Sequence, residues 1–305
     1  MLKRVKFGLI LLLIINLLSV WSAQAALWIN PLSVKQGEIV LVKGLYYNFG
    51  NAYSMLSDCQ IAFEGKNYLF AREIVDFQGF ESSGGTYGFQ YTSRIPTTPL
   101  TKLGDLPLTL KCPLGQEKFS LKVLSGNFPV QNIVLTSSKN SLSATEKETN
   151  AVKNAINTFT PFKLWDSNKP WLAPNKARLS SLYGLRRTYN GVLAQNYFHK
   201  GLDFAAFTGN PITAPAKGKV ILLGKEKEGF AVHGNCLFID HGQGIISGYL
   251  HLSEFNVIEG QIVEAGEVLG KVGESGIATG PHLHFGVYVN GENVNPDNWL
   301  KFAIP

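Results

Sequence analysis

The chain has 305 residues, with 28 lysines and arginines against 22 aspartates and glutamates, and a formal net charge of +6 at pH 7. The positive charges form neither a lysine-arginine block nor a stripe interleaved with aromatic residues, which argues against nucleic acid as a partner. The length allows one large domain or two ordinary domains, each with its own hydrophobic core.

Residues 1–25 have the pattern of an export signal. Basic residues stand near the start, an apolar run follows over 7–20, and Ala23-Gln24-Ala25 supplies the small residues of a cleavage site. An uncleaved membrane anchor is the alternative, but about 14 apolar residues fall short of the roughly 20 that span a bilayer. We therefore expect a mature chain beginning at Ala26, located in the periplasm, the cell envelope or outside the cell, with membrane contact only through the export signal.

Residues 26–124 have the pattern of a β-rich accessory domain. Short runs of aliphatic, β-branched and aromatic residues, such as 38–42, 60–63 and 106–110, are separated by glycine, proline and asparagine. This spacing predicts a small β-sandwich. The segment contains no histidine and no clustered pair of acids, so we expect it to bind, shield or position rather than to catalyse.

Three cysteines follow the export signal. Cys59 and Cys112 both lie in the accessory domain, and export permits disulfides, so a bridge and two free thiols are equally open. Cys236 lies in the apolar run Cys236-Leu237-Phe238-Ile239 and is expected to be a small buried hydrophobic residue.

Residues 125–178 are predicted to be a connector. Serine, threonine, asparagine and lysine are frequent there, and prolines interrupt the segment. Within it, Ser143-Ala144-Thr145-Glu146 has the spacing of a helix capping box, and neither proline nor glycine occurs over 147–159. One helix is therefore predicted near 143–159.

Residues 179–305 alternate strand-like runs with glycine turns, without helical periodicity over any long window. We expect an antiparallel β-sheet domain there, which makes the whole chain mainly β. All six histidines of the chain lie in this part. Structural histidines would have no reason to avoid the first domain, so this distribution indicates that chemistry is concentrated here.

His282 and His284 flank one leucine in a strand-like run, so their side chains face the same side of a sheet. Two such imidazoles can share a zinc ion, or one can bind it while the other acts on the bound water. Two half-exposed strand histidines without a metal are the alternative.

A second candidate pair is His199 and Asp203, which stand four residues apart around Gly201. The glycine lets the backbone bend, so both side chains can reach one metal. A solvated His-Asp pair is the alternative.

His251, between two leucines, is a third candidate, with an ordinary core histidine as the alternative. Two histidines and one aspartate would leave a fourth position for water, as in hydrolytic zinc sites.

The order and spacing of these motifs resemble the LytM and lysostaphin-type zinc endopeptidases. That family has H-x-x-x-D, then tyrosine-x-histidine-leucine, then H-x-H, and the chain supplies His199 to Asp203, Tyr249-Leu250-His251-Leu252 and His282-Leu283-His284 in that order. Supporting runs are Ser181-Leu182-Tyr183-Gly184-Leu185-Arg186-Arg187, Ala214-Pro215-Ala216-Lys217-Gly218, Asp240-His241-Gly242 and Gly280-Pro281. The resemblance covers about residues 179 to 300.

The resemblance implies one zinc ion per chain, held by His199, Asp203 and His284. It implies that His251 and His282 are catalytic histidines that do not bind the metal. We expect His282 to act as general base and His251 to stabilise the transition state, although the sequence does not separate the two roles.

Three further residues lie near these motifs. Tyr189, before the first ligand, is a candidate oxyanion donor, with a packed loop tyrosine as the alternative. His241 is expected to be structural or to support the site from outside, and His233 is expected to be a loop residue.

In function, the resemblance implies an exported enzyme that hydrolyses peptide bonds in the cross-links or bridges of bacterial peptidoglycan. A catalytically silent protein that binds the wall and activates another hydrolase is the alternative, but such proteins typically lose metal ligands, and none is missing here. A carbohydrate-cleaving enzyme would need paired acids in a cleft, and no such pair accompanies the histidines. Control by a regulatory protein partner stays open.

Overall fold

The structure, a computed structural model, describes residues 13–14, 24–47, 58–76, 87–113 and 115–304. Most of the predicted export signal lies outside the described residues. The chain divides into two compact units, the first formed by Met1–Ile95 and Thr101–Ser125 and the second by Pro96–Leu100 and Gly126–Pro305. In the part of the chain that the structure describes, no helix is long and apolar enough to cross a membrane.

The first unit consists of β-strands. In chain order these are β1 (Leu13–Ile14), β2 (Gln24–Asn30), β3 (Ser33–Lys35), β4 (Ile39–Tyr47), β5 (Gln60–Phe63), β6 (Lys66–Leu69), β7 (Ala71–Asp76), β8 (Tyr87–Pro96), β9 (Gly104–Cys112) and β10 (Gly115–Leu124). Among the described residues they form two sheets, with the orders β1-β2-β4-β8-β7 and β3-β10-β9-β5-β6.

Side chains from both sheets share one core. Val42 and Tyr91 come from the first sheet, and Ile61, Leu108 and Leu121 come from the second. Burial alternates along β5, as a strand with one face toward the core requires. The predicted β-sandwich is therefore confirmed.

The cysteines fall as the sequence allowed. Cys59 and Cys112 form a disulfide, which decides the question that the sequence left open. Cys236 is buried and is a free thiol among the described cysteines, and burial raises its pKa. Its predicted place as a small hydrophobic residue is confirmed.

The second unit contains most of the helical residues. Its helices are α1 (Ser137–Asn140), α2 (Glu146–Ile156) and α3 (Pro296–Lys301). Its strands are β11 (Val130–Ile133), β12 (Leu179–Ser181), β13 (Arg186–Tyr189), β14 (Val192–Leu193), β15 (Leu202–Phe204), β16 (Pro211–Thr213), β17 (Gly218–Gly224), β18 (Asn235–Gly242), β19 (Ile245–Phe255), β20 (Ile262–Val263), β21 (Val268–Val272), β22 (Leu283–Val289) and β23 (Glu292–Val294).

The predicted connector, residues 125–178, belongs to the second unit from Gly126 onward. β11 pairs in parallel with β13, and the order of that small sheet is β11-β13-β14. One face of α2 buries Val152 and Ala155 against Phe238 and Leu250 of the large sheet. The segment thus contributes one strand to the small sheet and one helix to the hydrophobic core of the second unit.

Helix α2 begins two residues later than its predicted capping box. Thr145, not Ser143, is the N-cap, and its hydroxyl accepts a hydrogen bond from the backbone N–H of Glu148 at 3.1 Å. Thr145 and Glu148 have the same spacing as Ser143 and Glu146, so the sequence contains two overlapping candidates for the capping box. Glu148 is buried, and its carboxylate contacts residues far along the chain. It therefore does not serve as the glutamate of a capping box at the N-cap.

The large sheet of the second unit brings the sequence motifs together. Its main path is β12-β15-β22-β19-β18-β17-β20, and the pairs along it are antiparallel, as predicted. Asp203 in β15 lies opposite His284 in β22, and Leu250 in β19 lies opposite the same histidine. The motifs therefore lie on three neighbouring strands.

Candidate active site

Three side-chain atoms converge at the β15 end of the large sheet. Nε2 of His199 lies 2.9 Å from Oδ1 of Asp203 and 3.0 Å from Nδ1 of His284, and the last two atoms are 2.9 Å apart. All three side chains are buried. They form a group that is able to hold a metal ion.

The imidazole of His199 is oriented by the backbone. Its Nδ1 donates a hydrogen bond to the carbonyl of Leu182 at 2.7 Å. The neutral ring therefore carries its proton on Nδ1, which leaves the lone pair of Nε2 facing Asp203 and His284. In metal sites, a hydrogen-bond acceptor of this kind on the second ring nitrogen fixes the tautomer of the ligand histidine.

Gly201 permits a close approach between two strands. A Cβ at this position would lie 2.3 Å from the carbonyl oxygen of Phe285 and 2.8 Å from Nε2 of His284. The sequence suggested that the glycine is needed for a bend, but its φ angle is not in the left-handed region. What requires glycine is the absence of a side chain where the backbone meets β22.

Asp203 uses its second oxygen outside the metal group. Oδ2 accepts a hydrogen bond from the guanidinium of Arg187 at 3.1 Å, and Nε of Arg187 donates to Oε1 of Gln131 at 3.1 Å. Burial alone would raise the pKa of Asp203, but hydrogen bonds and charge interactions with His199 and His284, which require a proton on the imidazole nitrogen that faces it, hold it well below its usual value. The carboxylate is therefore ionised at neutral pH, with Oδ1 free for the site.

The donor set fits a zinc ion. Nε2 of His199 and Oδ1 of Asp203 are both acceptors, so their 2.9 Å contact is unfavourable unless a proton or a cation lies between them. Zinc takes nitrogen and oxygen ligands at about 2.0–2.2 Å, which places tetrahedral ligand atoms roughly 3.3 Å apart. The observed separations need to open by only a few tenths of an ångström.

Two more histidines lie beside the group. His251 and His282 have ring centroids 4.8 Å apart, and Nε2 of His282 is 3.9 Å from Oδ1 of Asp203. Nδ1 of His251 donates to the carbonyl of Ser275 and Nδ1 of His282 to that of Gly280, each at 2.8 Å. In the neutral form of each ring, Nε2 is therefore the unprotonated nitrogen.

His251 is held in an unusual state. It lies on β19 with a φ of 67°, in the left-handed region that residues other than glycine rarely adopt. Burial and the neighbouring imidazoles of His282 and His284 lower its pKa well below the ordinary value, so the ring is neutral. Strained backbone and shifted pKa values are enriched at functional sites.

A cleft of about 370 Å³ opens onto these side chains. Tyr189 lines it together with His251, His282 and the candidate ligands Asp203 and His284. The ring of Tyr189 also contacts Tyr197 edge to face, at 6.1 Å between centroids. Other lining residues come from the segment predicted to be a connector: Gln131, Ile133 and Leu135.

The remaining histidines lie outside this group. His241 is fully buried, donates from Nδ1 to the carbonyl of Lys217 and accepts at Nε2 from Ser247, each at 2.8 Å, in keeping with a structural role. His233 is more than the predicted loop residue, because its Nδ1 contacts the buried carboxylate of Glu148 at 2.5 Å.

Gln131 and Glu148 were not predicted from the sequence as residues that support the site. A signal existed for Glu148, because it shares the helix face of Val152 and Ala155 at spacings of four and seven, where an apolar residue is expected. No local pattern distinguishes Gln131 from other polar residues, because its contact with Arg187 depends on the parallel pairing of two distant strands.

Comparison with known proteins finds similarity to one family over part of the chain. The sequence profile described as "Peptidase family M23" matches residues 197–296. The DD-carboxypeptidase/endopeptidase Mpg of Neisseria meningitidis is 42% identical over 128 residues, which are 42% of this chain and 27% of the relative. The peptidoglycan DD-endopeptidase ShyC of Vibrio cholerae is 38% identical over 120 residues, 39% of this chain and 26% of the relative.

The chain thus spans about a quarter of the length of these curated relatives. One solved structure, described as a provisional peptidase M23 from Pseudomonas aeruginosa, matches most of the chain. It is 29% identical, covers 88% of this chain and 95% of its own, and has a TM-score of 0.56. Residues 197–296 of the second unit thus match peptidase family M23, the metallopeptidase family of LytM and lysostaphin that the motifs predicted.

Proposed function

We propose that the chain is an exported zinc-dependent endopeptidase that hydrolyses peptide bonds in the cross-links or bridges of bacterial peptidoglycan. The observation that carries this proposal is the convergence of Nε2 of His199, Oδ1 of Asp203 and Nδ1 of His284 within 3.0 Å of one another. Two histidines with unprotonated Nε2 atoms beside that group supply the acid–base chemistry that hydrolysis needs.

In this proposal His199, Asp203 and His284 would hold one zinc ion, and Asp203 and His284 line the cleft. Bound zinc supplies Lewis acidity toward a carbonyl oxygen and lowers the pKa of water to about 7. The hydrogen bonds from Nδ1 of His199 and from Arg187 keep the ligand atoms aimed at one point.

His282 is the proposed general base. Its side chain is the less buried of the two catalytic histidines, and its Nε2 lies 3.9 Å from a ligand oxygen, within reach of a water in the site. The Nδ1–H bond to Gly280 fixes the tautomer that accepts a proton at Nε2.

His251 is proposed to stabilise the transition state. Its Nε2 is unprotonated in the resting site, so it donates a hydrogen bond to a developing oxyanion only after it has taken up a proton during the reaction. Tyr189 is a second proposed donor, because its side chain lines the same cleft.

The proposed substrate and location rest on the relatives. One is named a DD-carboxypeptidase/endopeptidase and another a peptidoglycan DD-endopeptidase. The export-signal pattern of residues 1–25 would bring the enzyme to the compartment that holds peptidoglycan. The alternative of a silent activator is disfavoured, because all five site residues are present and grouped.

Digestion of intact sacculi tests the proposed reaction. We expect the purified protein to convert cross-linked muropeptide dimers to monomers, measured by chromatography and mass spectrometry, with no increase in reducing sugar ends. His282→Ala protein is the matched control and should leave the dimers intact. New sugar ends, or dimers that persist with the wild-type protein, would rule out the endopeptidase assignment.

A further inference from the structure

We infer that Glu148 on helix α2 is a positioning residue for His251, acting through the turn formed by residues 232–235. The inference rests on the proposed function, in which His251 acts on the substrate. It extends the functional unit beyond residues 197–296, the segment that matches the family, to a helix from the segment that the sequence marks as a connector.

Glu148 is buried, and its carboxylate accepts hydrogen bonds from one turn. Its Oε1 accepts hydrogen bonds from the backbone N–H of Val232 at 3.1 Å and of His233 at 2.7 Å, and it contacts Nδ1 of His233 at 2.5 Å. A buried carboxylate is costly unless such donors surround it. The donors in turn depend on Glu148, because its removal would leave two partly buried backbone N–H groups without this acceptor.

A first link runs from this turn to the backbone of His251. The N–H of His251 donates to the carbonyl oxygen of His233 at 3.1 Å. That carbonyl belongs to the same residue whose N–H and imidazole Glu148 holds. Movement of the turn therefore changes the backbone position of His251 directly.

A second link reaches the imidazole of His251. Nδ1 of His251 donates to the carbonyl of Ser275 at 2.8 Å, and the hydroxyl of Ser275 accepts from the backbone N–H of Asn235 at 2.9 Å. Gly234 lies so close to Ser275 that an added Cβ would be 2.4 Å from its carbonyl carbon. The turn thus supports both the main chain and the ring of His251.

The backbone of His251 needs such support. Its φ of 67° is a conformation that relaxes toward the extended region when the contacts around it weaken. Relaxation would rotate the side chain away from His282, whose ring centroid is 4.8 Å distant. Displacements of about 1 Å in a catalytic group cost on the order of 100-fold in rate.

The test compares Glu148→Ala with Val152→Ala in the exported full-length protein. Val152 lies one turn along α2 and packs in the apolar cluster, so its truncation loosens the helix without touching residues 232–233. We expect Glu148→Ala to lower kcat by about 10- to 100-fold with little change in KM and in bound zinc. Val152→Ala should keep a kcat within about 2-fold of the wild type.

A spectroscopic measurement separates positioning from general stability. In the wild type, nitrogen-15 spectra of the histidine rings should show His251 with Nδ1 protonated, because that atom donates to Ser275. We expect Glu148→Ala to give a mixture of tautomers at His251 while His241 keeps its wild-type signals. Glu148→Gln, which keeps one acceptor oxygen, should lie between the wild type and Glu148→Ala, and it carries the test if the alanine variant does not fold.

Equal kcat values for the Glu148 and Val152 variants, or an unchanged His251 tautomer in Glu148→Ala and Glu148→Gln, would overturn the inference. These outcomes are distinct from a failure of the proposed function. A wild-type protein that releases no peptide products would remove the endopeptidase assignment, while the ring signals of His251 would still decide whether Glu148 positions it.

Discussion

At the scale of single residues, two of the three proposed ligands are held by a neighbour that leaves one coordinating atom for the metal. The carbonyl of Leu182 accepts a hydrogen bond from Nδ1 of His199, and Arg187 donates one to Oδ2 of Asp203. Nε2 and Oδ1 then remain, directed at the same point as Nδ1 of His284. The site is preorganised because most of the rotational freedom of these side chains is already removed by hydrogen bonds.

The two non-ligand histidines should separate metal binding from catalysis. We predict that His251→Ala and His282→Ala each keep about one zinc per chain but lower kcat on the order of 100-fold or more, because each removes an acid–base group and no ligand. Zinc content and sacculus digestion measure the two effects. Loss of zinc from either variant would make that histidine a ligand and would refute this division of roles.

Arg187 should control metal affinity without touching the metal. We predict that Arg187→Ala weakens zinc binding on the order of 10- to 100-fold, as measured by competition with a chelator, because Oδ2 of Asp203 loses its partner. Arg186→Ala is the matched control, since it removes the same charge from an exposed neighbour on β13. If both variants lose affinity equally, net charge and not the hydrogen bond to Asp203 explains the effect.

At the scale of elements, antiparallel pairing explains how short motifs that are far apart in the chain form one site. Asp203 and Leu250 lie opposite His284 from the two neighbouring strands, so a register shift of one residue would turn a ligand away. The sequence allowed this part to be predicted, because alternation and glycine turns mark the strands. His282 and His284 are two residues apart, so a strand conformation directs both side chains to the same face of the sheet.

The start of α2 was harder to predict, because two capping frames overlap in the sequence. Thr145 accepts from the N–H of Glu148, and its hydroxyl donates to the carbonyl of Gly229 at 2.8 Å. We predict that Thr145→Ala lowers the free energy of unfolding by about 1–2 kcal/mol in urea titrations followed by tryptophan fluorescence. Exposed Ser143→Ala should change it by less than about 0.5 kcal/mol. A larger loss of stability in Ser143→Ala than in Thr145→Ala would instead support Ser143 as the N-cap.

At the scale of the whole molecule, the second unit begins well before the residues that match the family. Gln131, Ile133 and Leu135 line the cleft, and Trp171 packs against His241 at 4.5 Å and against Trp299 at 4.7 Å between centroids. Neither the parallel pairing of β11 with β13 nor this aromatic cluster has a local signature, because each joins residues more than 50 positions apart. Composition alone therefore suggested a connector.

The buried His241 should make the second unit sensitive to acid. Burial lowers its pKa to about 4 from 6.5, so between these values the unfolded chain binds a proton that the folded protein does not. Stability from this group is complete above about pH 6.5 and is lost as the pH falls through about 4, by roughly 3 kcal/mol in all. His241→Gln should show a shallower loss in urea titrations over this range. Equal slopes for both proteins would contradict the prediction.

We propose that His199, Asp203 and His284 bind one zinc ion in the cleft of the second unit. The most direct measurement is a crystal structure of the protein as purified, with anomalous scattering recorded on both sides of the zinc absorption edge. We predict one zinc peak per chain, about 2.0–2.2 Å from Nε2 of His199, Oδ1 of Asp203 and Nδ1 of His284. A map without a peak there, or a zinc ion bound through His251 or His282 instead, would contradict the claim.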